Sequence, residues 1–194
     1  GDRQTETNIV GNLGIVATDM GDTEAAHAYL LTALDLAQAD GNRWVESAVC
    51  AHVAITSLRL GDAHAAVRYA RAAYDLATEL AAHRDAINAL NAMGSAFLEL
   101  GDPAAALDIH RQEEALAREQ GLADYAAGAV ARQALALLAT GRLAEAQERV
   151  ELVLEVVELA GLRRLGDGRL LVVGLERAAD LLGVVDEVQN ERLR

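Results

Sequence analysis

The sequence predicts an all-α fold, an α-solenoid of stacked helix hairpins, and three observations carry that expectation. One proline in 194 residues, 3% aromatic residues and abundant alanine favour helix, because alanine is the best helix former and strands prefer β-branched and aromatic side chains. Gly-Asp recurs as Gly21-Asp22, Gly61-Asp62 and Gly101-Asp102, and Gly141-Arg142 follows at the same interval of 40 residues. A second series, Gly1, Gly41, Gly121 and Gly161, keeps that period, with Ala81 in the remaining slot. Two turn signals sharing one period mark an array of repeats. The chain is therefore read as one domain, 1–194, with repeats at 1–40, 41–80, 81–120 and 121–160 and a partial fifth at 161–194.

Each unit reads as helix A, a tight turn, helix B and a second turn. In the first, the turn falls at Gly21-Asp22. The second places helices over 45–60 and 63–80, and the third over 85–100 and 103–120. All four stretches are long enough for several turns and carry apolar residues at helical spacing. Glycine ends a helix cheaply because it accepts the left-handed conformation at C′. The aspartate after it caps the next helix by accepting from its free N–H groups, and Pro103 suits a first helical position. In the fourth unit Glu145, Glu148, Glu151, Glu155 and Glu158 recur at three- and four-residue steps, a solvated stripe opposite Ala146, Val150, Val153 and Val157. The fifth helix A, over 169–182, carries Leu170, Leu171, Val172, Val173, Leu175 and Leu182, and only 184–194 follows its turn at Gly183. So short a helix covers only part of that apolar face, and two outcomes are expected to cover the rest: the native protein continues past Arg194, or, the reading favoured, a homodimer forms through the C-terminal repeat.

Small residues recur where the two helices of a unit must approach closely. Gly14, Ala54, Gly94 and Ala134 stand in helix A, with Gly174 at the same place in the fifth unit, and Ala26, Ala66, Ala106 and Ala146 stand early in helix B. Val10, Cys50, Leu90 and Val130 fill the space between, as do Leu36, Leu76, Leu116 and Val156 late in helix B. This arrangement resembles the tetratricopeptide repeat, over nearly the whole chain. That family's usual unit is about 34 residues. The longer unit is similar to the extended repeats of kinesin light chains, spindle-orientation adaptors and the regulatory halves of bacterial transcription regulators. The frequent aromatics of helix A are absent at Val10, Cys50, Leu90 and Val130, and Phe97 alone keeps the later aromatic position.

The resemblance implies a right-handed superhelix whose A helices line an inner groove that holds a protein or peptide. It places in that groove Asn8, Asn12, Asp19, His52, Arg59, Asn88, Asn91, Ser95, Glu99 and Arg132. Amides and a few charges on an alanine-rich face supply the donors and acceptors that reading a peptide backbone requires. Chaperone-binding members clamp a terminal carboxylate with asparagine and lysine. Asn12 matches one clamp position, but His52 replaces the next and the chain has no lysine.

Other chemistry is sparse. With 17 basic residues against 30 acidic ones and a net charge of −13, the chain repels phosphate backbones, so no direct nucleic-acid contact is expected. No apolar run reaches the roughly 18–20 residues of a membrane span; the stretch 170–182 is interrupted by Glu176, Arg177 and Asp180, and 1–8 is polar. A cytoplasmic protein without membrane contact is expected. Cys50, the sole cysteine, shares the core position of Val10, Leu90 and Val130 and is read as a buried, inert thiol. Among His27, His52, His64, His83 and His110 no two lie four residues apart, and no HExxH occurs, so no metal is expected. Gly166-Asp167-Gly168 lacks the strand a phosphate loop needs, and no cofactor is expected. Trp44, beside a turn, is read as a staple over the preceding repeat. With no set of nucleophile, base and orienter in view, the chain is read as a noncatalytic protein- or peptide-binding scaffold within a larger regulatory protein. The alternative is a sensory domain for a small signal peptide or metabolite in a transcriptional regulator.

Overall fold

A computed structural model describes residues 3–159, with side chains described from 4 to 152. Eight helices run in chain order: α1 (Arg3–Met20), α2 (Thr23–Ala39), α3 (Arg43–Arg59), α4 (Ala63–Glu79), α5 (His83–Glu99), α6 (Pro103–Glu119), α7 (Ala123–Ala139) and α8 (Leu143–Leu159). No strand occurs among the described residues. The fold is that of a helical repeat array, with odd-numbered helices as A and even-numbered as B. The fifth repeat at 161–194, and with it the expected C-terminal dimer, lies outside the described residues, as do the side chains of Glu155, Glu158, Val153 and Val157.

Helices α2 to α8 all have 17 residues, so the A-to-B and B-to-A connections are one turn used seven times. In each the N–H after the turn residue reaches back five residues, as in Asp22 to Ala17 at 3.0 Å, Asn42 to Ala37 at 2.9 Å and Arg142 to Leu137 at 3.0 Å. That bond, with the i−3 bond from the turn residue itself, closes a Schellman motif and satisfies carbonyls the helix end leaves open. The motif needs a left-handed residue, and Gly21, Gly41, Gly61, Gly101, Gly121 and Gly141 supply it at φ between 64° and 83°. Ala81 takes the same place at φ 52°, the one non-glycine residue in that region among those described. The expected caps follow: Asp22 accepts from Ala25 N–H at 3.1 Å and Asp62 from Ala65 N–H at 2.8 Å. Asn42 performs the same service for Val45 N–H at 3.2 Å, whereas Ala82 and Leu122 offer no side-chain cap.

The chain divides into two units, residues 1–102 and 103–194. In the first, each helix packs on the next, and α1 touches α3 as α3 touches α5. Its core joins Leu30, Ala33 and Leu34 of α2 to Val49, Cys50 and Val53 of α3 and Ala73 of α4. The small-residue positions do what their size allows. A Cβ placed on Gly14 would lie 2.7 Å from Leu30 Cγ, so glycine is what lets α1 and α2 close on a fully buried leucine. At the equivalent pair one repeat on stand Ala54 and Ala70, both fully buried. In the second unit α7 packs between α6 and α8, and Ala134 meets Val150 at that same register. Among these three pairs the largest helix B partner, Leu30, is the one opposed by glycine.

Candidate functional site

The residues that the repeat register assigns to the groove in the first unit fall on α1, α3 and α5. They occupy positions 8, 11, 12, 15 and 19 of each helix A counted from the first repeat, spacings that share one helical face. On α1 this gives Asn8, Gly11, Asn12, Ile15 and Asp19; on α3, Ala48, Ala51, His52, Ile55 and Arg59; on α5, Asn88, Asn91, Ala92, Ser95 and Glu99. Asn8 and Asn12 are exposed, while His52, Asn88, Asn91 and Ser95 are half-buried. Ile15 and Ile55, absent from the sequence-derived set, sit half-buried between the polar side chains and add an apolar floor. Alternation of hydrophobicity along one helix does not reveal them, because the same aliphatics read equally well as core.

One bond ties α1 to α3 at this face, and a half-buried imidazole lies beside it. Arg59 donates to the Thr18 carbonyl at 3.2 Å, placing a cation at the carbonyl end of α1, where the helix dipole favours it. His52 lies under the opposing influence of burial, which pushes its pKa down, and of Asp85 on α5 and Asp19 on α1, which pull it up. Burial is the larger effect, so the imidazole is held toward its neutral form, able to donate from one nitrogen and accept at the other. On α5, the Ser95 hydroxyl donates to Asn91 Oδ1 at 3.5 Å. On α1, Gln4 donates its amide to Asn8 Oδ1 at 3.3 Å. The surface is a run of amides and one neutral imidazole over small residues, suited to pairing with amide groups of a bound chain.

Arg132, placed in the groove by register, lies in the second unit and is engaged differently. Its guanidinium lies back along α7 over Gly128, where a Cβ would come within 3.1 Å of it, and pairs with the fully buried Glu113 of α6 through both Nε and Nη2. Glu113 also accepts from His110 Nδ1 at 2.9 Å. The Gln133 amide donates to the His110 carbonyl at 3.1 Å and to Glu114 at 2.7 Å. Cys50 is 2% exposed, and burial, aided by Glu46, pushes its thiol up to about 11. Glu145, Glu148 and Glu151 are solvated, opposite buried Ala146 and Val150. Trp44 stands 56% exposed in the first turn of α3. Among the described residues no group of three or more His, Cys, Asp and Glu is arranged to hold a metal, and no helix is long and apolar enough to cross a membrane.

The Tetratricopeptide repeat family matches residues 8–40. No curated protein matches the chain by sequence. Among solved structures, aspartyl phosphate phosphatase F from Bacillus subtilis superposes with a TM-score of 0.81 at 15% identity, over 98% of this chain and 49% of its own. A Rap protein complexed with competence and sporulation factor gives 0.74 at 15% identity, over 91% of this chain and 49% of its own. A Podosopora anserina kinesin light chain of nearly identical TPR-like repeats gives 0.70 at 16% identity, over 98% of this chain and 93% of its own. The chain thus spans about half the length of the two bacterial structures. What it shares with all three is the fold, and that fold, read with the family match at its first repeat, is a tetratricopeptide-like array of helix hairpins.

Proposed function

We propose that this chain is a noncatalytic module that binds an extended protein or peptide segment on the α1–α3–α5 face of its first unit. The observation that carries the reading is chemical: Asn8, Asn12, His52, Asn88, Asn91 and Ser95 present uncharged donors and acceptors around half-buried Ile15 and Ile55. Such a surface satisfies a peptide backbone while leaving room for its side chains. The structural likeness to a Rap protein complexed with competence and sporulation factor supports a bound segment on a fold of this kind. It also gives weight to a second reading, in which the occupant is a small signal peptide and the chain is the sensory part of a larger regulator.

Selection of displayed random peptides on the full chain tests the proposal, with Asn88→Ala/Asn91→Ala as the counter-target. Both amides are half-buried at the surface, and changes of that sort usually shift stability by only about 0.5 kcal/mol. Peptides that bind the wild type and lose at least tenfold affinity for the folded double variant support the site. Peptides that bind both equally place recognition elsewhere. Thermal stabilisation by a size-fractionated cell extract separates the two readings, a filterable stabiliser favouring the signal peptide and a retained one the protein partner.

A further inference from the structure

The second unit holds a buried polar cluster where the other repeats are apolar. Fully buried His110 stands at the position of Leu30, Ala70 and Val150; fully buried Glu113 at that of Ala33 and Ala73; fully buried Gln133 at that of Val53 and Met93. Glu114, 8% exposed, takes the place of Leu34. Four substitutions of this kind at one helix–helix contact are costly unless their partners are in place, because each removes a polar group from water. Most of the partners are there. Arg132 of α7 holds Glu113, and Glu114 accepts from Gln133 and faces Arg118 of α6 at 2.8 Å and Arg149 of α8 at 3.8 Å. Asp108 and Arg111, also on α6, pair with each other at the surface.

Two atoms are left over: His110 Nε2 and Gln133 Oε1 are buried without a protein partner. The protonation follows from the neighbours. Glu113 is ionised against Arg132, so His110 carries its proton on Nδ1 and donates it to Glu113, which leaves Nε2 a bare lone pair. The Gln133 amide is oriented by its two acceptors, the His110 carbonyl and Glu114, which leaves Oε1 as the orphan. A second proton on the ring has one place to go, Nε2, and there it would have no acceptor in the protein while adding a cation beside three arginines that already face two carboxylates.

We propose that the His110–Glu113–Arg132 cluster, with Gln133 and Glu114, is an acid-sensitive latch between α6 and α7 that opens when His110 Nε2 takes a proton. Burial also pushes the ring toward its neutral form, against the pull of Glu113. The unfolded chain, whose histidine titrates near 6.5, binds that proton more readily than the folded one, so stability falls as pH drops through 6.5 and is fully present above it. Arg132 carries the change outward: its side chain is 20% exposed, and releasing Glu113 frees its guanidinium at the surface of α7.

The test is urea unfolding of the full chain at pH 7.5 and 5.5, for wild type, His110→Gln and His52→Gln. Glutamine keeps an N–H for Glu113 without titrating. For a ring that stays neutral when folded, the unfolding constant of the wild type should rise about tenfold more than that of His110→Gln between those pH values. An equal response in wild type and His110→Gln, or one abolished by His52→Gln instead, overturns the latch. Should His110→Gln fail to fold, the His110 ring resonance of the wild type decides: titration at or above about 6.5 in the folded protein overturns the proposal.

Discussion

Replacing Gly14 by alanine sets two known effects against each other, and the structure decides between them. Removing glycine from a helix interior stabilises it by up to about 1 kcal/mol. Against this, the new methyl would lie 2.7 Å from Leu30 Cγ, 2.9 Å from Cδ2 and 3.3 Å from the Leu30 backbone nitrogen. Leu30 is fully buried and cannot swing into solvent, and a backbone atom is among those approached, so α1 and α2 must separate. Overpacking of this kind costs about 1–3 kcal/mol, and a net loss of about 1 kcal/mol is expected. Leu30→Ala alone should cost about 2–5 kcal/mol through the cavity it leaves. The double variant recreates the Ala54/Ala70 pair of the next repeat, with the methyl of residue 14 entering the space Leu30 vacates. Urea unfolding followed by circular dichroism should therefore show the double variant more stable than the sum of the singles by about 1 kcal/mol or more. Strict additivity, or a stabilised Gly14→Ala, would refute the contact assigned to this pair.

Ala81→Gly should stabilise the chain by about 0.5–1 kcal/mol, since left-handed alanine costs about 1–2 kcal/mol and glycine returns part of that as unfolded-state entropy; Gly121→Ala is the reverse control, and a thermal melt that orders the two the other way rejects the turn argument. Val16→Glu should be nearly neutral, within about 0.5 kcal/mol, because Val16 is 52% exposed, whereas the same change at fully buried Thr56, its counterpart one repeat on, should unfold the first unit; equal effects on the melting curve would contradict the register. With its thiol pushed up to about 11, Cys50 should resist a colourimetric thiol reagent at pH 8 until urea is added, and prompt labelling of the native chain would show that the α2–α3 contact opens.

The turns and the helix lengths were legible because their causes are local. Gly21, Gly61 and Gly101 each act within a few bonds, and the aspartates that follow them either cap or do not. The buried cluster was not, since periodicity reports that His110 and Glu113 lie on a helix but not which polar residue turns inward. Aligning the repeats against one another holds that signal: a histidine in the column of Leu30, Ala70 and Val150, and a glutamine in the column of Val53 and Met93. Arg132 shows the complementary limit. Register fixes its helix face and sets Gly128 one turn before it, while the direction of its guanidinium is set by Glu113 on another helix, which no spacing along α7 contains.

The single turn geometry that joins successive helices among the described residues also governs how they reach their structure. Within the first unit each helix rests on its successor, and α1 and α3 reach no further than the next but one. Contacts are therefore near in sequence, and little loop-closure entropy stands between the open chain and its first stable pairs. Any described hairpin is competent to form first, since all share one turn geometry and α2 to α8 share one length, and growth then proceeds by adding one neighbour at a time. Such a chain lacks one obligatory nucleus: its folding rate answers to the average hairpin, and its unfolding starts from whichever hairpin is weakest.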